Sequence, residues 1–349
     1  MFDPLSQGVA LGYVIPALQA ENQSLVPSHK VYVGNVGILL MTTNTLDNTL
    51  PAKSASISPL YPFTGHFFDR PAGRLHYLDE GRGDPIVMLH GNPTWSFYYR
   101  NLVLALRESH RCIVPDHIGC GMSDKPPESR YDYSLKSRID DLEALLDRVG
   151  VTSNITLVLH DWGGMIGMGF ATRHPERIKR IIASNTGAFP LPKTKRFPFS
   201  LWLGRNTRLG AWLILKKNAF CRLAARWCVK RHKLSPEVRE MLMRPYDTPE
   251  HRIAVLKFVQ TIPLGEMDEG YDIVRDTAAS LVKFRDVPTL LLWGMKDFVF
   301  DRHFLAEWQR HFPHAETHTW PDCGHYLLED ATDQVIMNVR EFLTKHPIR

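Results

Sequence analysis

The sequence predicts an α/β fold in which a mostly parallel sheet is flanked by helices and interrupted by a helical insertion. Short apolar, β-branched runs alternate with segments of helical periodicity, a pattern typical of parallel strands joined by crossover helices. One long section, 188–265, shows no strand signal and separates two regions that do. The chain has 349 residues, 44% of them hydrophobic, which is enough to bury one large core.

The strands are predicted from apolar runs that end at turn residues. In chain order, these runs are 74–78, 85–89, 112–115, 155–159, 180–184, 289–293 and 317–320. Helices are predicted over 95–108 and 135–149, the second beginning after the N-cap residue Ser134 and ending at Gly150. Active residues of a parallel sheet lie at the carboxyl ends of its strands. Each motif discussed below follows such an end.

The predicted boundaries divide the chain into an extension, a core and a cap. Residues 60–187 and 266–349 form the core, and 188–265 form a helical cap over the active edge of the sheet. Residues 1–59 are a poorly organised N-terminal extension, and Met41 is hypothesised to be the true start of the protein. Because no signal peptide or membrane span is indicated, we expect a cytoplasmic protein. The five cysteines lack metal-binding spacing, so we expect reduced thiols and no metal.

Charge is distributed unevenly along the chain. The formal net charge of +5 is modest, and no dense basic block interleaved with aromatic residues suggests nucleic-acid binding. Within 188–258, however, 16 Lys and Arg residues stand against 4 Asp and Glu residues. This excess has two interpretations: a solvated basic face, or a surface attracted to an anionic membrane or an acidic partner protein. The oligomeric state is not indicated by the sequence.

The segment 155–169, ITLVLHDWGGMIGMG, is typical of a strand that turns sharply into a helix. The paired glycines Gly163 and Gly164 allow a strand to reverse tightly into a helix packed on its own sheet. Asp161 stands at the apex of the turn, where the positive end of the following helix favours an ionised carboxylate. Asp161 is either the N-cap of that helix or a nucleophile, and we predict a nucleophile.

Two further residues complete a catalytic triad. His325 follows the predicted strand 317–320 and fits a general base, and Asp297 follows 289–293 and fits the acid that orients it. Asp301 is an alternative to Asp297 that the sequence leaves open. The order nucleophile, acid, base matches the chain order of α/β-hydrolases. Two other histidines flank motifs and are predicted to brace loops: His90 and His160.

Five motifs in order resemble the haloalkane dehalogenase family: HGNPTWS at 90–96, PDHIGCGMSDKP at 115–126, HDWGG at 160–164, LLLWGMKD at 290–297 and DCGHYLLED at 322–330. The resemblance covers residue 60 to the end and implies an α/β-hydrolase fold with an eight-stranded, mostly parallel sheet. It implies that Asp161 is the nucleophile, Asp297 the acid, and Trp162 with Asn92 the halide-binding pair. One branch of the family has a Glu where Asn185 stands, so the chain is more similar to the third subfamily.

The resemblance implies hydrolysis of a small halogenated hydrophobic substrate through an ester on Asp161. The indole N–H of Trp162 and the amide N–H of Asn92 would stabilise the departing halide in a dry pocket. His325 would then activate water, with backbone N–H groups near Asn92 and Trp162 as the oxyanion hole. This chemistry requires no metal or organic cofactor. Pocket volume is expected to depend on three aromatic residues: Phe189, Trp202 and Trp212.

A second activity fits the same residues. The third subfamily also includes β-lactone decarboxylases, which convert a cis-3-alkyl-4-alkyloxetan-2-one into a cis-olefin and carbon dioxide. The strings NTGAFPLP at 185–192 and QTIPL at 260–264 resemble that group. The decarboxylase would use the same Asp161, His325, Asp297 and Asn92, so the catalytic residues do not separate the two activities; of the two, we expect the dehalogenase.

Three other classes fit the sequence less well. Epoxide hydrolases activate the ring oxygen with cap tyrosines, whereas this cap contains a single tyrosine, Tyr246. Haloacid dehalogenases of this fold hold the substrate carboxylate with an arginine near the nucleophile, where Trp162 and Gly163 stand here. A non-catalytic ligand receptor would usually have a broken triad, and this triad is intact.

Overall fold

The computed structural model describes residues 53–54 and 57–348. The hypothesis that Met41 is the true start lies outside the described residues, as does most of the predicted extension 1–59. Among the described residues, no helix is both long and apolar enough to cross a membrane. All five cysteines are buried free thiols.

The described part of the chain is built around one nine-stranded sheet. Its strands are β1 (Lys53–Ser54), β2 (Gly65–Arg70), β3 (Gly73–Glu80), β4 (Pro85–Leu89), β5 (Arg111–Pro115), β6 (Ile155–Asp161), β7 (Ile178–Thr186), β8 (Thr289–Gly294) and β9 (Glu316–Trp320). They lie in the order β1-β2-β3-β5-β4-β6-β7-β8-β9. The pairs from β1 to β3, and β3 with β5, are antiparallel, and all others are parallel. The predicted α/β fold is confirmed: β2 to β9 form the mostly parallel eight-stranded sheet, and β1 adds two residues at its edge.

Strand β2 was not among the predicted runs. Its sequence, GHFFDR, has no apolar alternation, and only its first residue is fully buried. It forms because all of its residues except Gly65 pair antiparallel with β3, and such pairing cannot be recognised from one strand alone.

Helices occupy both faces of the sheet and the long connection between β7 and β8. They are α1 (Arg100–Leu106), α2 (Leu135–Arg148), α3 (Trp162–Arg173), α4 (Phe199–Asn206), α5 (Arg208–Lys217), α6 (Ala219–Trp227), α7 (Pro236–Met243), α8 (Ile253–Gln260), α9 (Tyr271–Ser280), α10 (Arg302–His311), α11 (Leu327–Asp330) and α12 (Thr332–Lys345). Short 3₁₀ turns cover Ser96–Tyr99, Pro175–Arg177, Arg244–Tyr246, Glu250–Arg252 and Leu281–Phe284. The predicted helix 95–108 is thus a 3₁₀ turn continued by α1. The segment predicted as the cap, 188–265, contains α4 to α8 and no strand.

The sheet separates two hydrophobic cores. Along β4, Val87 and Leu89 pack with α2, α3, α9 and α10 on one face, while Ile86 and Met88 pack with α1 and α12 on the other. Because both faces are covered, apolar residues of the central strands point to both sides of the sheet, as is typical of parallel strands. A third, smaller core joins α5, α6 and α8 through residues such as Val255.

The turn from β6 into α3 is as tight as the paired glycines predict. Asp161 has a positive φ of 52° and is directly followed by α3. A Cβ on Gly163 would collide with the carbonyl oxygen of Leu89, and one on Gly164 would collide with the side chain of Thr186. The helix can therefore lie against β4 and β7 only because these positions lack side chains.

Replacing Gly163 by Ala is expected to destabilise the fold. Its new methyl group meets backbone of β4, which cannot move without disturbing the sheet, so the free energy of unfolding should fall by about 1–3 kcal/mol. Urea denaturation measures this change. Gly265→Ala is the matched control, because nothing lies within 4 Å of its added Cβ. Equal stability of the two variants would contradict this account of the turn.

Candidate active site

The carboxylate of Asp161 is buried at the carboxyl end of β6, with 7% of the residue exposed. The backbone N–H of Asn92 donates to its Oδ1 at 2.6 Å, and the backbone N–H of Trp162 also donates to the carboxylate. Burial raises the pKa of Asp161, although His325 and these two N–H groups oppose the shift. The two backbone N–H groups predicted as an oxyanion hole therefore both face the carboxylate of Asp161.

His325 lies between the two carboxylates. Its Nδ1 is 2.7 Å from Oδ2 of Asp297, and its Nε2 is 3.5 Å from Oδ2 of Asp161. Burial alone would lower the pKa of His325, but the charge and hydrogen bond of Asp297, together with the charge of Asp161, raise it above its ordinary value. The three residues predicted as a triad are thus brought into one line of contacts.

Asp297 is held by a backbone group of its own loop and by a side chain from β7. Its Oδ1 accepts the backbone N–H of Val299 at 2.7 Å, and its Oδ2 accepts a hydrogen bond from Nδ2 of Asn185 at 3.0 Å. The Oδ1 of Asn185 in turn accepts the backbone N–H of Gly294 at 2.8 Å. Asp301, the alternative acid, instead caps α10 and pairs with Lys195 at 2.6 Å.

Sequence reasoning missed the contacts that Asn185 makes with the loop of Asp297. This residue had been noted only as a departure from the family pattern. Its side chain links the end of β7 to the loop that carries Asp297, and it has a positive φ of 39°. Asn is one of the few residues that tolerate this conformation, so an Asn at the end of a central strand was the available signal.

The two histidines predicted to brace loops do so. Nε2 of His160 contacts the backbone oxygen of His325 at 2.9 Å, and its ring stacks on Tyr98 with centroids 4.4 Å apart. Nδ1 of His90 lies 2.8 Å from the carbonyl oxygen of Gly91, and its Nε2 accepts the backbone N–H of His117. Both imidazoles hold the backbone around the triad rather than face a ligand.

The side chains of Asn92 and Trp162 line the same cavity as Asp161 and His325. Nδ2 of Asn92 donates one hydrogen bond to the carbonyl oxygen of Val255 in α8, at 3.1 Å. An amide NH₂ has two hydrogens, so one remains for a ligand. Among the described residues, the indole N–H of Trp162 has no hydrogen-bond partner. Two N–H donors are therefore available beside the Asp161 carboxylate.

The cavity above the triad has a volume of about 250 Å³ and is lined mainly by apolar side chains. Helices α4, α5, α6 and α8 all contribute to its wall, and Phe189 lines it as predicted. Its polar side chains are those of the group around Asp161, together with Ser200 and with Lys195, which pairs with Asp301. Such a cavity fits a molecule with a reactive polar centre and apolar chains.

The prediction that Trp202 and Trp212 line the pocket was wrong. Neither contributes to the cavity wall, and they are 45% and 46% exposed. In α4 the cavity side is formed by residues such as Leu201, and in α5 by residues such as Ile214, so each tryptophan lies on a different face of its helix. Trp227, which was not predicted, lines the cavity and is 50% exposed, which places it at the mouth.

Removing the charge of Asp297 should change the titration of His325. Burial lowers the pKa of His325, and the negative charge of Asp297 normally outweighs this effect. In Asp297→Asn that charge is absent, so the pKa of His325 should fall below the ordinary histidine value of about 6.5. NMR titration of the labelled imidazole measures it. Asp161→Asn is the matched comparison and should lower the pKa less, because Asp161 contributes less to the shift. An unchanged pKa in Asp297→Asn would contradict this assignment of the charges.

Proteins of known function are similar to this chain in sequence and in fold. The family model for the alpha/beta hydrolase fold matches residues 84–332. A cis-3-alkyl-4-alkyloxetan-2-one decarboxylase of Shewanella oneidensis is 58% identical, covering 83% of this chain and 91% of the relative. A protein of the same name from Xanthomonas campestris is 44% identical, covering 83% of this chain and 99% of the relative. Haloalkane dehalogenase 2 of Mycobacterium tuberculosis is 32% identical, covering 81% of this chain and 96% of the relative.

A similar solved structure is the haloalkane dehalogenase DbeA of Bradyrhizobium elkani. It superimposes with a TM-score of 0.73 at 26% identity, covering 80% of this chain and 97% of that one. The chain belongs to the α/β-hydrolase family, in the group that contains the haloalkane dehalogenases and the cis-3-alkyl-4-alkyloxetan-2-one decarboxylases.

Proposed function

We propose that this protein decarboxylates a cis-3-alkyl-4-alkyloxetan-2-one to a cis-olefin and carbon dioxide. The observation that carries the proposal is the order of similarity: the relatives with this name are 58% and 44% identical, and the dehalogenase relative is 32% identical. The sequence motifs alone favoured the dehalogenase. The alternative drawn from the strings at 185–192 and 260–264 is therefore the better supported of the two activities.

The first step uses Asp161 as a nucleophile at a saturated carbon. Its carboxylate attacks ring carbon C4 of the lactone, the C4–O bond breaks, and the electron pair passes to the ring oxygen. The product is an alkyl ester on Asp161 that carries a free carboxylate. Trp162 and Asn92 each offer an N–H donor to that new negative charge.

The second step restores the enzyme without water. The bond between C3 and the carboxylate breaks, its electron pair forms the C3=C4 double bond, and the C4–O ester bond breaks to return the carboxylate of Asp161. Carbon dioxide leaves at the same time. Attack with inversion at C4, followed by loss of the two groups from opposite sides, converts a cis lactone into a cis olefin.

His325 has a different role here than in ester hydrolysis. In a dehalogenase it must be neutral in order to deprotonate water. In the decarboxylation, a protonated His325, 3.5 Å from Asp161, stabilises the carboxylate as it leaves the ester. The raised pKa of His325, held by Asp297, supports this second role.

A second candidate function is haloalkane hydrolysis. It is favoured by the two N–H donors beside Asp161, since a departing halide needs donors and no acceptor nearby. The apolar cavity suits either substrate, because its lining offers few polar groups away from the triad.

Turnover on two substrates separates the candidates. We expect purified protein to convert a long-chain cis-β-lactone to the alkene, followed by gas chromatography, and to release little bromide from 1-bromohexane. Asp161→Asn should lower alkene formation on the order of 10⁴-fold or more, because the nucleophile is lost. Asp69→Asn removes an exposed carboxylate on β2 and is the control. Rapid bromide release without alkene formation would replace the proposal by the dehalogenase.

Oxygen exchange tests the absence of water from the reaction. Many turnovers of the lactone in ¹⁸O-labelled water should leave the oxygens of Asp161 unlabelled, because the ester is cleaved at its C4–O bond. Mass spectrometry of the peptide containing Asp161 measures the label. Any hydrolytic turnover of 1-bromohexane by the same protein serves as a positive control, since water then attacks the ester carbonyl. Label acquired with the lactone would show that the ester is hydrolysed.

A further inference from the structure

The surface of α4, α5 and α6 is unusually rich in exposed apolar side chains. Twelve large hydrophobic side chains are exposed among the described residues, and half of them lie on these three helices. We define the cap surface as these six: Phe199, Trp202, Leu209, Trp212, Leu223 and Trp227. It includes every exposed tryptophan, because the other five tryptophans of the chain are buried. Consecutive helices pack on each other, α4 on α5 and α5 on α6.

The same helices carry positive charge that is mostly uncompensated. No Asp or Glu occurs anywhere in 177–236. Five exposed cations on α5 and α6 make no ion pair with any described residue: Arg208, Lys216, Lys217, Arg222 and Arg226. By contrast, Arg205 pairs with Asp268 and Arg231 pairs with Asp322. The unpaired cations lie among the exposed tryptophans, and Lys217 is 5.1 Å from the ring of Trp212.

This combination fits an anionic lipid bilayer. Tryptophan is enriched where a protein meets the boundary between headgroups and acyl chains, and Lys and Arg are attracted to anionic headgroups. An acidic protein partner would satisfy the charges, but it would not account for three exposed tryptophans on adjacent helices. We propose that the cap surface docks the protein peripherally onto an anionic membrane.

The cap surface borders the mouth of the cavity, so docking would bring that mouth to the membrane. Leu223 and Trp227 belong to the cap surface and also line the cavity, so the cavity opens through it. Phe298, a further exposed apolar residue, lines the cavity as well. On a docked molecule the mouth would face lipid, and an apolar substrate could enter without crossing water. Docking does not depend on which substrate is turned over.

Co-sedimentation with vesicles tests the proposal on the full chain. We expect binding to vesicles that mix phosphatidylglycerol with phosphatidylcholine, little binding to phosphatidylcholine alone, and weaker binding as salt is added. Lack of binding to the anionic vesicles would overturn the proposal, whatever the outcome of the turnover assays.

Two sets of variants separate the contribution of the basic side chains to membrane binding from that of the exposed tryptophans. Each basic side chain near an anionic surface strengthens binding about fivefold, so the triple variant Lys216→Gln, Lys217→Gln, Arg222→Gln should bind on the order of 100-fold more weakly. The double variant Trp202→Ser, Trp212→Ser should bind at least about tenfold more weakly. Neither tryptophan lines the cavity, so turnover of a dispersed substrate should be unchanged.

Matched controls use similar residues elsewhere. Lys283→Gln with Arg285→Gln removes exposed charge near α9, and Met267→Ser removes a side chain that is 98% exposed. Both controls should bind like the parent protein. If they lose binding to the same degree as the cap variants, the attraction is non-specific and the proposal is wrong.

Tryptophan fluorescence reports the orientation. Because five tryptophans are buried, quenching by brominated lipids should arise from the three on the cap surface and should be reduced in the Trp202→Ser, Trp212→Ser variant. Binding to soluble polyglutamate but not to vesicles would assign the surface to an acidic protein instead. Dimerisation in sedimentation velocity that is lost in the tryptophan variant, without vesicle binding, would assign it to a second copy. Either result would overturn membrane docking.

Discussion

A carboxylate buried at the end of β6 is the feature on which the arrangement of the site depends. Burial of Asp161 disfavours its charge, and three neighbours offset this: the backbone N–H groups of Asn92 and Trp162 and the imidazole of His325. These groups follow β4, β6 and β9 respectively. The strand order places β4 next to β6, and the loop after β9 reaches across to them. The positive φ of Asp161 aims its side chain at all three.

Much of this arrangement could be predicted because it is encoded locally. Apolar runs identified the central strands, and the candidate triad came from the last residue of β6 and from the loops after β8 and β9. Features that depend on distant partners were missed. Strand β2 owes its form to pairing with β3, Asn185 acts through a loop over 100 residues away, and the orientation of Trp202 follows from how α4 lies on its neighbours. Periodicity shows that a helix has faces, but not which face meets a cavity.

Haloalkane hydrolysis and lactone decarboxylation require the same residues in their first step. Nucleophile, orienting acid and N–H donors are the same for a halide and for a carboxylate as leaving group, since both are anions that depart from a saturated carbon. The difference lies in what happens to the ester on Asp161. Hydrolysis needs a neutral base and a water molecule, whereas decarboxylation needs a positive charge and a carboxylate on the neighbouring carbon. The motif residues do not encode this difference. The higher sequence identity to the two decarboxylase relatives favours decarboxylation.

The hydrogen bond between Asn92 and Val255 links the candidate site to α8, which lies in the segment predicted as the cap. Val255 belongs to α8, so a displacement of that helix breaks the bond and leaves the amide with two unsatisfied hydrogens instead of one. An anionic leaving group that accepts the freed hydrogen of Asn92 would offset the loss of the bond to Val255, whereas the intact bond leaves one amide hydrogen for that anion. The position of α8 and the affinity of Asn92 for an anion are therefore thermodynamically linked through this one amide group.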